Sequence, residues 1–307
     1  MDAVPPDSQF PGGRDPAHVC GHDIHTAVGS GIAEVLASLR DRLAGTVVFL
    51  FQPGEESLTG ASAMIDDGVL ERTRPAEIHA LHCGPFPVGQ FATAPGYGLP
   101  GQDRGTIMLT GADAQEQARR LAAEIGGLGT VAPPASSSDL DRLVADIQTP
   151  DGPLAAFVFV RASVPEATTE VEVSYRCWPE ERHVEVRKSI HRLARPYAGA
   201  IVDFPGDPFP AMVCPEQPGR ALTEYLRGTL GADRVTTLHA AIPFSGEDFA
   251  LFLDRIPGTY TFLGVRGTGS GVETGYPHYG AFDPDERAIG HGVRAMAGWL
   301  ARRARAE

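Results

Sequence analysis

An α/β fold with a mostly parallel sheet, interrupted once by a small α+β unit, is what this sequence predicts. Three observations predict it. Short continuous apolar runs such as Thr46–Phe51 (TVVFLF) have the length and character of strands buried on both faces. These runs alternate with segments whose apolar residues recur at helical spacing. After Gly101 the order becomes β-α-β-β-α-β, and from about Pro205 the earlier alternation returns.

The elements follow in order. Residues 1–18 are polar and rich in Pro and Gly, and read as loop. Residues 25–43 carry Val28, Ile32, Val35, Leu36, Leu39 and Leu43 at a helical period. Thr46–Phe51 is the first strand, residues 60–70 a second helix, and Glu77–His82 a second buried strand. In the interrupting unit, strands are expected at Arg104–Thr110, Pro153–Val160, Thr169–Arg176 and Ala200–Phe204, with helices at Ala112–Ile125 and Glu180–Ala194. The last part predicts helices at Gly219–Leu230, Glu247–Ile256 and Asp285–Arg303 around a buried strand at Thr259–Val265.

Composition narrows the function classes. The 307 residues suffice for one large domain or two ordinary ones, and 42% hydrophobic with 21% charged residues is ordinary for a globular protein. A net charge of −13 argues against nucleic acid or an anionic membrane as partner, because phosphate binding needs clustered Lys and Arg. Cys20, Cys83, Cys177 and Cys214 are too few for a disulfide scaffold in a chain this long. No stretch approaches the roughly 18 apolar residues of a membrane span. With no basic-then-apolar leader at the N-terminus, a cytoplasmic location is expected.

Four short segments could carry chemistry. In His18-Val19-Cys20-Gly21-His22-Asp23-Ile24-His25, a Cys and a His two apart in one turn can reach the same ion, with Gly21 bending the backbone between them. A Cys-x-His is also a common coincidence. Gln52-Pro53-Gly54-Glu55-Glu56 follows a buried strand, at the edge where open α/β sheets bind ligands. One carboxylate there can hold a metal while the other accepts a proton, or the pair is simply a solvated turn. Glu77–His82 ends on His82; His79, three residues earlier, faces the other way, so at most one of the two reaches a site and position favours His82. Tyr276-Pro277-His278-Tyr279 lies in a Gly-rich loop, where a lone histidine is a ligand or only surface.

Order and spacing across the whole set do more than each segment alone. Cys-Gly-His-Asp-x-His, then a strand with Gln-Pro-x-Glu-Glu, then Leu-His before a Pro-Val-Gly turn resembles the amidohydrolase branch of the M20 metallopeptidases, the N-acyl-amino acid and hippurate hydrolases. Ser245-Gly246-Glu247-Asp248-Phe249, Pro257-Gly258 leading into Phe262-Leu263-Gly264, and His278 before Phe282 extend the likeness, as does Tyr175–Ala194. The resemblance implies a zinc-exopeptidase-like catalytic domain at 1–101 and 206–307, with a ferredoxin-like lid at 102–205. It implies two divalent ions bridged by Cys20, with His22 and His82 completing one site and Glu56 and His278 the other. Zinc or manganese ranks first, nickel or cobalt second; thiolate and imidazole suit zinc. Glu55 becomes the general base and then the acid. Asp23 and Asp248 are read either as orienters of ligands or as structural polar groups, and Cys83, Cys177 and Cys214 as inert. The implied substrate is a small N-acyl amino acid or conjugate, and the implied assembly a homodimer through the lid.

Two departures from that pattern matter. Met1-Asp2-Ala3-Val4-Pro5 resembles the interior of the family motif Arg-Ala-Asp-Met-Asp-Ala-Leu-Pro, so the chain is expected to begin inside the catalytic domain, with Asp2 matching the motif's second Asp. The lid also lacks the stretch Gly-Gly-His-Ala-x-x-Pro-His, running instead from Leu109-Thr110-Gly111 into Ala112-Asp113-Ala114-Gln115, and Ala162-Ser163-Val164-Pro165 replaces Asn-Val-Ile-Pro. In relatives that histidine reaches the substrate carbonyl across a dimer, and losing one such donor costs about 10²–10³ in rate. Competing expectations are therefore a relative that binds metal or ligand with impaired turnover, and a dipeptidase of the same family.

Overall fold

A computed structural model describes residues 19–197 and 199–304. The expected N-terminal loop at 1–18, with Asp2 and the Met1–Pro5 motif, lies outside them. Helix α1 (His22–Ser38) buries Ile24, Val28, Ile32 and Leu36, a stripe at helical spacing. The second expected helix is two, α2 (Gly60–Asp66) and α3 (Val69–Thr73), because Gly68 between them adopts φ 79, a left-handed conformation that ends a helix. Strands β1 (Ile78–Pro87), β2 (Phe91–Thr93), β3 (Gly98–Leu99) and β4 (Asp103–Met108) follow, then helices α4 (Ala114–Gly126) and α5 (Ser137–Asp146). Next come β5 (Phe157–Ser163), β6 (Glu170–Trp178), α6 (His183–Ala194), β7 (Ile201–Asp203) and β8 (Met212–Val213). The chain continues through α7 (Glu216–Leu230), β9 (Val235–Thr237), α8 (Ala250–Leu253), β10 (Gly258–Arg266) and α9 (Arg287–Arg303). α8 is far shorter than the helix expected there. The Glu247 carboxylate accepts the Phe249 N–H at 3.0 Å, so the preceding residues form a side-chain-closed turn instead.

The first sheet has the order β1-β10-β2-β9, with β1/β10 and β2/β9 parallel and β10/β2 antiparallel. β10 is buried at every position but its last, which matches its continuous apolar sequence. Its alternate residues serve two cores. Leu263 and Val265 pack with Val28, Leu222 and Trp299 from α1, α7 and α9. Tyr260 and Phe262 pack on the other side with Ala61 and Phe252.

The second sheet has the order β5-β6-β4-β7, antiparallel throughout. One face is covered by α4 and α6, whose Leu121, Ile125 and Ile190 meet Ile107, Val171 and Val173. Helix α5 belongs elsewhere. It lies between α4 and β5 in sequence, yet Leu140 and Leu143 share a core with Leu238 and Phe244. Its exit is tied to the first sheet: His239 N–H donates to the Ile147 carbonyl (2.8 Å) and Thr236 Oγ1 to Gln148 Oε1 (2.7 Å).

Thr46–Phe51 differs from expectation. It makes no sheet pairing among the described residues, and Val48 and Phe51 are 45% and 55% exposed. A cavity of about 910 Å³, lined by residues 45–53 and by 73–82, separates it from the outer edge of β1. Without a neighbour to receive its backbone hydrogen bonds, an apolar run remains an extended segment. Among the described residues no helix is long and apolar enough to cross a membrane.

Candidate metal centre

Four chain segments meet beside the middle of β1 and β10; β1 runs on to Pro87, paired with β10 past His82, so His82 stands mid-strand and not at a strand end as expected. The first is the turn Cys20-Gly21-His22 opening α1. Gly21 holds φ 85, and a Cβ there would sit 2.6 Å from Cys83 Sγ, so only glycine fits this turn. The second is the single helical turn Glu55–Ser57, entered through Gly54 at φ 70. Asp248 anchors it, accepting Gln52 Nε2 at 2.6 Å and the Ala61 N–H at 2.9 Å. The third is His82 on β1, and the fourth His278. His278 adopts φ 64, unusual for a residue with a side chain, and its N–H donates to the Val19 carbonyl at 2.6 Å. That bond ties the fourth segment to the first.

Among the described residues, Cys20, His22 and His82 form one donor set and Cys20, Glu56 and His278 another, the donor atoms of each within 4.8 Å of one another. Cys20 is common to both. His82 Nδ1 lies 2.8 Å from the Cys83 carbonyl, which can only accept, so the proton sits on Nδ1. The Nε2 lone pair then faces Cys20 Sγ, 3.4 Å away. Burial pushes His82 down to about 4, leaving the ring neutral, the form that ligates. Burial also pushes the Cys20 thiol well up, with Glu56 and Glu55 adding to the effect. Glu56 Oε1 is buried 3.3 Å from His278 Nε2 and 3.7 Å from His22 Nε2 without an aligned hydrogen bond. A buried thiol opposed by carboxylates, a carboxylate oxygen with no aligned donor and a preset imidazole lone pair all fit cations at this point.

Glu55 Oε2 is 3.5 Å from His22 Nε2, beside the same cluster. Sequence reasoning missed its neighbour Glu247, which with Asp248 lies within 4.8 Å of Glu55. Burial holds the Glu247 carboxyl well above its usual range, and Tyr260 OH donates to it at 2.8 Å. The segment Ser245–Phe249 carried the signal, but only the fold brings Tyr260 beneath it.

Other expected residues lie elsewhere. His79 Nδ1 meets Thr259 Oγ1 at 2.8 Å and its ring packs edge-on to Trp299, away from the cluster. Asp23 is exposed in the first turn of α1. His25, adjacent to His22 and His82, spends its Nε2 accepting the Cys83 N–H at 2.8 Å. Cys83, Cys177 and Cys214 are buried and free, each thiol pushed up by burial.

The cluster opens into a cavity of about 1010 Å³ whose opposite wall is the second sheet. Among the described residues no histidine from that sheet lines it; His183 and His191 face Tyr175 and Phe204 instead. The wall presents Arg176, another residue the sequence reading missed. Its Nη2 donates to Gln102 Oε1 at 3.1 Å, while its Nε is buried without a hydrogen-bond partner. Burial, then Arg104 and Arg161, push it down to about 10.

A family model described as peptidase family M20/M25/M40 matches residues 1–302. The chain belongs to that family. It is 29% identical over 283 residues to an N-acetylcysteine deacetylase of Bacillus subtilis (strain 168), covering 89% of this chain and 70% of that protein. An N-acetyldiaminopimelate deacetylase of Ligilactobacillus salivarius is 26% identical over 293 residues, covering 93% and 74%. Among solved structures, a dinuclear metal-binding M20 peptidase of Bacillus subtilis superposes with a TM-score of 0.66 at 27% identity, covering 99% of this chain and 79% of that one. The M20 chain described here is accordingly a hydrolase acting on amide bonds, and its α/β architecture is that of the family.

Proposed function

We propose that this M20 chain removes the acyl group from a small N-acyl amino acid, using two divalent ions held by Cys20, His22, His82, Glu56 and His278. The observation that carries the proposal is the pair of three-donor sets sharing one thiol, with a further carboxylate, Glu55, beside them. The names of the two deacetylases and of the dinuclear neighbour support it. When bound, the ions polarise the amide carbonyl and lower the pKa of a water. Glu55 then takes the proton from that water and delivers it to the leaving nitrogen. Asp248 keeps the Glu55–Glu56 turn in place through Gln52 and Ala61. Burial raises the Glu247 carboxyl behind Glu55, while Tyr260 OH and the Phe249 N–H, both donating to it, fix its orientation and favour its ionised form. Arg176, with its open Nε, receives the substrate's α-carboxylate, since a guanidinium matches a carboxylate's geometry.

We read residues 102–205 as the lid, from which α5 departs to share a core with Leu238 and Phe244 of the other half. A homodimer through the lid is supported by exposed Ile201 on edge strand β7, paired with exposed Met108 of β4.

The test is metal content and turnover together. Purified chain dialysed against metal-free buffer is expected to retain about two divalent ions, and to deacetylate N-acetyl amino acids. Glu55→Gln should keep the ions and lose turnover. Full activity in Glu55→Gln would overturn the assignment of the base.

A further inference from the structure

Strand alternation decides what the lid sheet shows to the cleft. On β6, Val171, Val173, Tyr175 and Cys177 are buried towards α4 and α6, so Glu172, Ser174 and Arg176 stand on the opposite face. The register extends that face sideways. Arg104 on β4 pairs with Ser174, and Ser174 pairs with Arg161 on β5, which sets two arginines on either side of one serine in a single row. Gln102 stitches this row to Arg176, donating to Ser174 Oγ at 3.0 Å while accepting from Arg176. All of these residues line the same cavity as Cys20, Glu55, Glu56, His82 and His278.

The rows have an order relative to the cluster. Arg176 is innermost: a Cβ on Gly246 would meet Arg176 Nη2 at 3.4 Å, and Gly246 precedes Glu247. Arg104 and Arg161 form the next row out, and the Arg161 guanidinium lies 5.3 Å from the Phe159 ring centroid. Beyond them, Glu172 and Asp203 both pair with Thr106 on a third row. In a chain of net charge −13, three guanidiniums on one cleft wall are a local reversal of sign. Arg104 and Arg161 both bear on Arg176 as like charges, and an anion seated among them offsets that effect.

We propose that Arg104 and Arg161, with the Ser174 hydroxyl between them, form a second anion subsite that selects N-acyl amino acids with an acidic side chain. This rests on the acyl-amino-acid reading above and adds the substrate class. Alternate residues along a strand are about 6.8 Å apart, a spacing in keeping with the α- and side-chain carboxylates of one glutamate reaching Arg176 and the next row. Glu172 and Asp203 bound the subsite on its outer side by repelling an anion that reaches further.

The probe is a pair of substrates that differ in charge alone, N-acetyl-L-glutamate and N-acetyl-L-glutamine. With the metal-loaded enzyme, kcat/KM is expected to favour the glutamate by roughly tenfold or more, and the preference should shrink with added salt. Arg104→Gln combined with Arg161→Gln should remove the preference, and the matching pair of lysine variants should restore part of it. Both arginines are exposed, so the substitutions leave the packed face of the sheet intact. Equal rates on the two substrates, a preference for the glutamine, or a preference that survives in the double variant would overturn the subsite. If neither amide is cleaved, the acyl-amino-acid reading fails, and calorimetric binding of the two probes decides the subsite separately. Tighter binding of the glutamate, lost in the double variant, upholds it; equal binding overturns it.

Discussion

The two walls of the cleft are built from opposite materials. The floor is a knot of loops in which Cys20 and His278 are almost wholly buried, and its polar atoms are incompletely paired within the protein. The facing wall is a regular antiparallel sheet whose charges project from alternate positions into an open space. Groups proposed to break a bond are fixed by glycine turns and backbone ties. Groups proposed to choose a substrate are fixed only by strand register. Substitutions should therefore behave differently on the two walls: all-or-none below, graded above.

The largest effect is expected for Cys20→Ala. Removing the donor common to both sets should abolish bound metal and turnover together, measured by elemental analysis and by release of acetate. Retention of both ions would separate the two donor sets and break the proposed bridge. Gly21→Ala comes next. It forces a side chain into φ 85 and against Cys83, so metal content and thermal stability should fall together by more than the roughly 1–3 kcal/mol of a strained residue. Glu55→Gln should lower kcat by about 10²–10⁴ with metal content unchanged.

On the facing wall, Arg176→Gln should act mainly through KM. About 10²-fold lower kcat/KM, or some 3 kcal/mol, is expected for loss of one partner of a buried charge pair. A fall in kcat with KM unchanged would move Arg176 from substrate binding to the reaction itself. The smallest effect lies far from both walls. His79 and Arg303 hold Glu77 down to about 2. Because the folded value is below the unfolded one of about 4.3, the contribution is fully present at neutral pH. It fades as pH falls from about 4.3 towards 2. In partly exposed surroundings it is about 1 kcal/mol or less. Glu77→Gln should therefore lower Tm slightly at pH 7, by about half as much near pH 3, and hardly at all below about pH 2.

The same contrast explains what could be read from the sequence. Cys20–His22 and Gln52–Glu56 are contiguous motifs beside a helix start and after an apolar run, and His82 lies in a short strand-like run, half-buried in the fold, so local pattern carries them. Arg176 and Glu247 have no such signature. Arg176 depends on which residues of β4 and β5 stand beside β6, and Glu247 on a tyrosine thirteen positions away in β10. Thr46–Phe51 shows the converse limit. Its composition asks for two neighbours, and composition does not supply them. Helix α5 has no counterpart among the expected elements, although Leu140, Leu143, Val144 and Ile147 recur at helical spacing and Ser136 caps it by accepting the Asp139 N–H.

That helix has a mechanical consequence. By sequence α5 lies within residues 102–205, proposed above as the lid, yet its leucines share one core with Phe157 and Phe159 of the second sheet and with Leu238 and Phe244 of the other half, so it links the two walls of the cleft. Widening the cleft would drag Leu140 and Leu143 out of a shared core, at several kcal/mol for two buried leucines. Heated in a calorimeter, the two sheets should melt in one peak rather than in succession.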